Sequence, residues 1–150
     1  MSNPPVKRFL LADDDRDDRE MFSEALAVLD PAIVCCGVED GKQALNILST
    51  SATDQPSIIF LDINMPVMNG WELLKQLKSD DQYIHIPVVV YSTSSRPKDR
   101  EIAHDLGAMC FITKPDSFRM VKGMLEIVIS SLRNNAVPDM CGRIHKALQQ

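Results

Sequence analysis

The chain has 150 residues, 45% of them hydrophobic and 25% charged, with a formal net charge of −5. That length suits one domain with a buried core, and the acidic balance argues against nucleic acid as a partner, because phosphate binding favours basic faces. The opening Met1-Ser2-Asn3-Pro4-Pro5 lacks the apolar core of a leader and no run approaches membrane-spanning length, so the expected compartment is the cytoplasm, with no membrane contact.

After a short extension over residues 1–5, Val6 to Ala12 reads as a buried strand ending in Asp13-Asp14-Asp15. An amphipathic helix follows from Arg16 to Leu29, with Met21, Phe22, Ala25, Leu26 and Leu29 on one face. Ala32 to Val38 is the second strand, and Asp40-Gly41 opens a helix carrying Ala44, Leu45 and Leu48. Ser57 to Leu61 is the third strand, running out into Asp62. Asn69-Gly70 begins a helix with Leu73, Leu74 and Leu77. Ile86 to Tyr91 is the fourth strand, ending in Ser92-Thr93-Ser94, and Pro97 starts a helix that stops at Gly107. Met109 to Thr113 is the fifth strand, ending in Lys114-Pro115, and Asp116 caps a last helix reaching Asn134.

Five strand–helix units with continuously apolar strands predict an α/β, doubly wound, five-stranded parallel sheet with helices on both faces. Residues 6–134 form that domain. The tail, 135–150, is too short for an output domain, although Ile144 and Leu148 stand at the spacing of a short docking helix. Cys35, Cys36, Cys110 and Cys141 show no CxxC and no ligand spacing with His85, His104 or His145. The first three sit in apolar runs and read as small buried thiols. Trp71, the only tryptophan, reads as a packing residue.

Ligands in open parallel sheets bind at the carboxyl ends of the strands. Here that edge collects acids from the first and third strands, a hydroxyl from the fourth and a lysine from the fifth. Between Asp13 and Glu20 there are six acids and two arginines. A helix start explains part of that density, since carboxylates suit a helix N-terminus. Three consecutive aspartates straight after a strand point further, to a magnesium site built from carboxylates. Such a cation, with a lysine ammonium beside it, would make an aspartate an acceptor for a phosphoryl group by neutralising the phosphoryl oxygens. Asp62 is the acceptor in this reading, Lys114 the point charge, and Ser92 the hydroxyl for a further oxygen.

These segments resemble the receiver domains of two-component response regulators. Leu11-Ala12-Asp13-Asp14-Asp15 is similar to the paired-acid segment of that family, and Leu61-Asp62-Ile63-Asn64-Met65-Pro66-Val67-Met68-Asn69-Gly70 to its phosphoacceptor segment. Ser92, Phe111 and Lys114-Pro115 stand where the family has its switch hydroxyl, its switch aromatic and its lysine–proline pair. The resemblance implies a flavodoxin-like (βα)5 fold and phosphorylation of Asp62 by a sensor histidine kinase or histidine phosphotransfer protein. It implies Mg2+ held by Asp14 directly, Asp13 through water, Asp62 and the Asn64 backbone carbonyl. It also implies a cis Lys114–Pro115 bond, a Ser92 that swings to the phosphoryl group, and a Phe111 that follows inward. The lack of an output domain looks most like the stand-alone regulators, including those paired with phytochrome kinases, whose output is a change of protein partner. Asp15 lies where the family varies. Phe111 lacks the hydroxyl of the commoner tyrosine, and Asn64 and Ser94 occupy positions that tune dephosphorylation.

Two other classes compete with this reading. A phosphorylation-independent scaffold would keep the fold without the switch, and the intact Asp13, Asp14, Asp62, Ser92 and Lys114 count against it. A magnesium phosphatase would want a second acid near its nucleophile, where Asn64 stands, and a cap domain, so the chain is not expected to be an enzyme of that kind. On the last helix, Phe118, Val121, Leu125, Val128, Ile129 and Leu132 form a core stripe. Met120, Met124 and Ile127 form a second apolar stripe. Either neighbouring chain covers it, or it is a surface for a downstream protein or a second copy of this chain.

Overall fold

The computed structural model describes residues 5–50 and 54–149. Most of the expected N-terminal extension, and Gln150, therefore lie outside the described residues. The elements run β1 (Arg8–Ala12), α1 (Arg16–Leu29), β2 (Val34–Val38), α2 (Gly41–Thr50), β3 (Ile58–Leu61), α3 (Gly70–Ser79), β4 (Val88–Ser92), α4 (Pro97–Asp105), β5 (Cys110–Thr113), α5 (Phe118–Arg133) and α6 (Val137–Leu148). All strand pairings are parallel, in the order β2-β1-β3-β4-β5. This is the doubly wound sheet expected from the strand–helix alternation.

The strands are apolar throughout because both faces of the sheet are covered, and the pleat sends alternate residues to two cores. Phe9, Leu11, Ile58, Phe60, Val89, Tyr91, Cys110 and Ile112 face α1, α5 and α6. Leu10, Ala12, Ile59, Leu61, Val88, Val90 and Phe111 face α2, α3 and α4. Phe22, Phe60 and Tyr91 meet edge to face in the first core, at centroid separations of 5.0–5.8 Å. β1 pairs with β2 on one side and β3 on the other, so the chain reverses its winding there. That reversal opens a crevice beyond the carboxyl ends of β1 and β3.

Local chemistry sets the helix ends. Asp15 is the N-cap of α1, its carboxylate accepting from the Asp18 N–H. Asn69 and Glu72 form a reciprocal capping box on α3. Pro97 stands in the first turn of α4, and the chain leaves that helix through Gly107 at φ +96°, a conformation that favours glycine.

Several expectations change. All five strands begin one or two residues later than expected, although Lys7, Ser57, Pro87 and Met109, just before them, already hydrogen-bond to the neighbouring strand. The cap of α5 is Ser117, whose hydroxyl accepts from the Met120 N–H, not Asp116. Phe118 is 39% exposed, being at the first turn and short of the covered part of the helix. The tail is an ordered helix folded back on α5, with Met140 and Ile144 fully buried against the core that holds Met124. Met124 is itself fully buried, and Met120 and Ile127 are half-buried. The second stripe is therefore taken up by the core at Met124 and Ile127, while Met120 stays half-buried in a groove beside Leu148 of α6.

Cys110 is not a free thiol. It forms a disulfide with Cys141 of α6, at a Cα–Cα distance of 5.7 Å, while Cys35 and Cys36 are free and half-buried. A separation of 31 residues carries no sign of pairing in the sequence, because only the fold brings the two Cβ atoms together.

Candidate functional site

The crevice holds the groups that the sequence pattern gathers there. Asp13 follows β1 and its N–H donates to the Val38 carbonyl at 2.9 Å, fixing it between β1 and β2. Asp62 follows β3, its N–H donating to the Ala12 carbonyl at 2.9 Å. Lys114 follows β5, its N–H donating to the Ser92 carbonyl at 2.7 Å. Three strand ends are thus tied to their neighbours at the residues that carry the chemistry.

The Lys114 side chain is 6% exposed, and its Nζ lies 2.8 Å from Asp13 Oδ2, 2.8 Å from Asp18 Oδ2 and 3.1 Å from Asp62 Oδ2. The other Asp62 oxygen accepts from the Ile63 N–H at 2.7 Å, and Asp13 Oδ1 accepts from the Asp15 N–H at 2.9 Å. Asp13 Oδ2 is enclosed and, among the described residues, meets no hydrogen-bond donor apart from the Lys114 ammonium. The carboxylates of Asp13, Asp14 and Asp62 offer ligand atoms within 4.8 Å of one another. Asp14 is exposed, Asp62 is buried, and Asn64 lies exposed in the loop two residues on. An all-oxygen set of this kind, with one buried oxygen lacking a neutral donor, fits a small hard divalent cation.

Ionisation follows from this packing. Burial pushes the Asp13 carboxyl up to about 6, against the opposing pull of Lys114 and the Asp15 N–H. Burial also pulls on the Lys114 ammonium, but its bonds to Asp13 and Asp18 and the charges of Asp13 and Asp62 outweigh that and hold it above the ordinary lysine range. A carboxyl that titrates higher folded than unfolded stabilises the fold fully below its unfolded pKa, and that contribution is lost as pH rises through the folded value. Without divalent cation, the Asp13 contribution is therefore lost between about pH 4 and about pH 6. Urea denaturation across that window should show wild type losing stability relative to Asp13→Asn. A parallel course for the two proteins would overturn this.

Ser92 is buried, and its Oγ accepts from the Ser94 N–H at 3.1 Å. The Ser94 hydroxyl donates to Asp99 at 2.6 Å, and its carbonyl accepts from Thr113 Oγ1 at 2.9 Å. Phe111 is already inside, 6% exposed, with the Arg100 guanidinium 5.0 Å from its ring centroid. The inward position of the aromatic is thus the one this structure holds. The Lys114–Pro115 bond is trans, since no described peptide bond is cis. Trans is the intrinsically favoured isomer, and Lys114 reaches all three acids with it.

Nothing in the sequence pattern singles out Asp18 or Arg100. Asp18 lies in the first turn of α1, and side chains in a helix lean toward its N-terminus, which aims an acid there back over the end of β1. Arg100 links α4 to β5 through Thr113 Oγ1 at 3.1 Å and the Phe111 carbonyl at 3.4 Å. Its pattern position, an arginine on a polar helix, carries no such signal.

Comparison with known proteins agrees with the geometry. Residues 9–126 match the response regulator receiver domain. The chain is 32% identical to the response regulator Rcp1 of Synechocystis over 133 residues, covering 82% of this chain and 88% of Rcp1. It is 30% identical to a probable cyclic di-GMP phosphodiesterase of Vibrio cholerae, of which it spans only 28%. Among solved structures, the phosphorylated cyanobacterial phytochrome response regulator RcpA superposes with a TM-score of 0.77 at 34% identity, over 85% of this chain and 96% of that one. The Mn2+-bound form of Rcp1 superposes with a TM-score of 0.76 at 28% identity, over 83% and 96%. No described helix is long and apolar enough to cross a membrane. With these matches and the acid–lysine crevice at its switch point, the chain belongs to the response regulator receiver domains of two-component systems.

Proposed function

We propose that this protein is a response regulator similar to Rcp1 that accepts a phosphoryl group on Asp62 from a sensor histidine kinase or histidine phosphotransfer protein, in a magnesium-dependent reaction, and thereby changes its binding to a downstream protein. The observation that carries this is Asp62 fixed between the Ile63 N–H and Lys114 in a buried crevice shared with Asp13 and Asp14. An Asp62 carboxylate oxygen attacks the phosphorus of the phosphohistidine donor. The P–N bond breaks and its electron pair leaves with the imidazole, which takes a proton from solvent. Lys114 neutralises a phosphoryl oxygen as it arrives, and Ser92 supplies a hydroxyl to another.

Asp13, Asp14, Asp62 and the Asn64 carbonyl would hold Mg2+, which supplies further neutralisation of the phosphoryl oxygens. The acid set and the Mn2+-bound form of Rcp1 support this. The phytochrome association of RcpA supports a phytochrome-type kinase as the donor to try first. The proposed compartment is the cytoplasm, with neither nucleic acid nor membrane as a partner. In that reducing setting the Cys110–Cys141 pair would exchange between thiols and disulfide, since disulfides persist mainly in oxidising compartments.

The test is intact mass after incubation with a small phosphodonor, with and without Mg2+, for wild type and Asp62→Asn. A magnesium-dependent phosphoryl adduct on wild type alone is expected. Equal labelling of Asp62→Asn would sink the assignment, and no adduct with no response to beryllofluoride would leave the scaffold reading in its place.

A further inference from the structure

We infer that Asp18 is a positioning residue for Lys114, holding the ammonium at the edge of Asp62 when a cation occupies the neighbouring carboxylates. The inference rests on the proposed phosphoryl-acceptor reading and deepens it. Three carboxylates share the Lys114 ammonium, and they are not equivalent. Asp13 and Asp62 both belong to the set that offers oxygens to a cation, and Asp18 does not. Asp18 makes an aligned hydrogen bond to Nζ at 2.8 Å, shorter than the 3.1 Å bond to Asp62.

Electrostatics then separates the roles. A divalent cation entering the crevice draws on the negative charge of Asp13 and Asp62 and repels the ammonium beside them. With those two acids engaged, Asp18 is the carboxylate still available to balance Lys114. Its side chain is only 35% exposed, so the pair is partly shielded from water. Its backbone is held too, the Asp18 N–H donating to the Asp15 carboxylate at 3.1 Å. A fixed acid on a helix turn keeps the ammonium of a long, flexible side chain where a phosphoryl oxygen on Asp62 would meet it.

The plain alternative is that Asp18 belongs to a solvated acidic helix start. Asp17 is the internal control: it is adjacent, exposed and of equal charge, and makes no contact with Lys114. The experiment measures Mg2+ affinity, beryllofluoride affinity in saturating Mg2+, and acetylation of Lys114 by acetic anhydride, mapped by mass, in wild type, Asp18→Asn, Asp18→Glu and Asp17→Asn. Losing one charge-assisted bond should weaken beryllofluoride about tenfold in Asp18→Asn. Mg2+ affinity should shift no more than in Asp17→Asn. Lys114 should acetylate faster in Asp18→Asn alone, and Asp18→Glu should recover part of both properties.

Matching behaviour of Asp18→Asn and Asp17→Asn in beryllofluoride binding and acetylation would overturn the inference, as would a loss of Mg2+ affinity as large as that of Asp62→Asn. The acetylation readout needs no phosphoryl chemistry. If wild type failed to bind beryllofluoride, the acceptor reading would fall while the hold of Asp18 on Lys114 was still decided.

Discussion

Gly70→Ala is expected to damage the fold and the acid site together. A methyl group at Gly70 would fall on the Asp62 carbonyl oxygen and lie 2.9 Å from both the Asp62 carbonyl carbon and Ile63 Cα. Those are backbone atoms, so no rotamer change relieves the overlap. Nor can Asp62 retreat, because its N–H is bonded to Ala12 in the sheet. The Gly70 N–H also donates to the Ile63 carbonyl at 2.8 Å, so the start of α3 and the acceptor loop are clamped at this point. The overlap should cost about 3 kcal/mol, the upper end for overpacking a tight site. For a domain of this size that is roughly a 10 °C fall in Tm. Relief by opening the loop would shift the Asp62 carboxylate and weaken divalent-cation binding by about a hundredfold. Trp71, the next residue and half-buried, is a fluorescence probe for both measurements. A variant with the wild-type Tm and cation affinity would show that the clamp does not matter.

Much of the site was legible because its residues sit at strand ends, where an apolar run stops at a defined point. Asp13, Asp62, Ser92 and Lys114 could be aligned along one edge from that pattern, and the order β2-β1-β3-β4-β5 puts them together. Asp18 was harder to see. It lies in a run with Asp17 and Glu20 where every acid has the same reason to be there, and only the direction of its side chain distinguishes it. Asp15 resolves the other way: the third aspartate serves as the cap of α1. The tail shows what periodicity leaves open. Ile144 marked a helix, but whether it met α5 or another molecule depended on the facing surface, and Met140 and Cys141 completed the match. Strand starts were misplaced because apolar character continues into the segments that enter the sheet.

Replacing Cys141 by Ser, or reducing the disulfide, is expected to loosen α6 selectively. The bond joins the helix to Cys110 of β5, and one turn later the His145 ring lies 2.9 Å from the carbonyl of Phe111, the next strand residue. Two successive residues of an edge strand are thereby held by one helix. Closing a chain segment of this length should stabilise the fold by roughly 3–4 kcal/mol, through the restricted unfolded chain. Without it, α6 keeps the burial of Met140 and Ile144, each worth about 2 kcal/mol, so the helix should stay docked but open more often. Amide hydrogen exchange over residues 137–148 should speed up by about tenfold or more through local opening, whereas amides of β1 and β3, which exchange through global unfolding, should report the loss of overall stability. Met124, now fully buried, should become oxidisable by peroxide in the same variant. Unchanged exchange in protein whose two thiols have been shown to be free by alkylation would mean that apolar packing alone sets the position of α6. The covered part of the second α5 stripe would then belong permanently to the core.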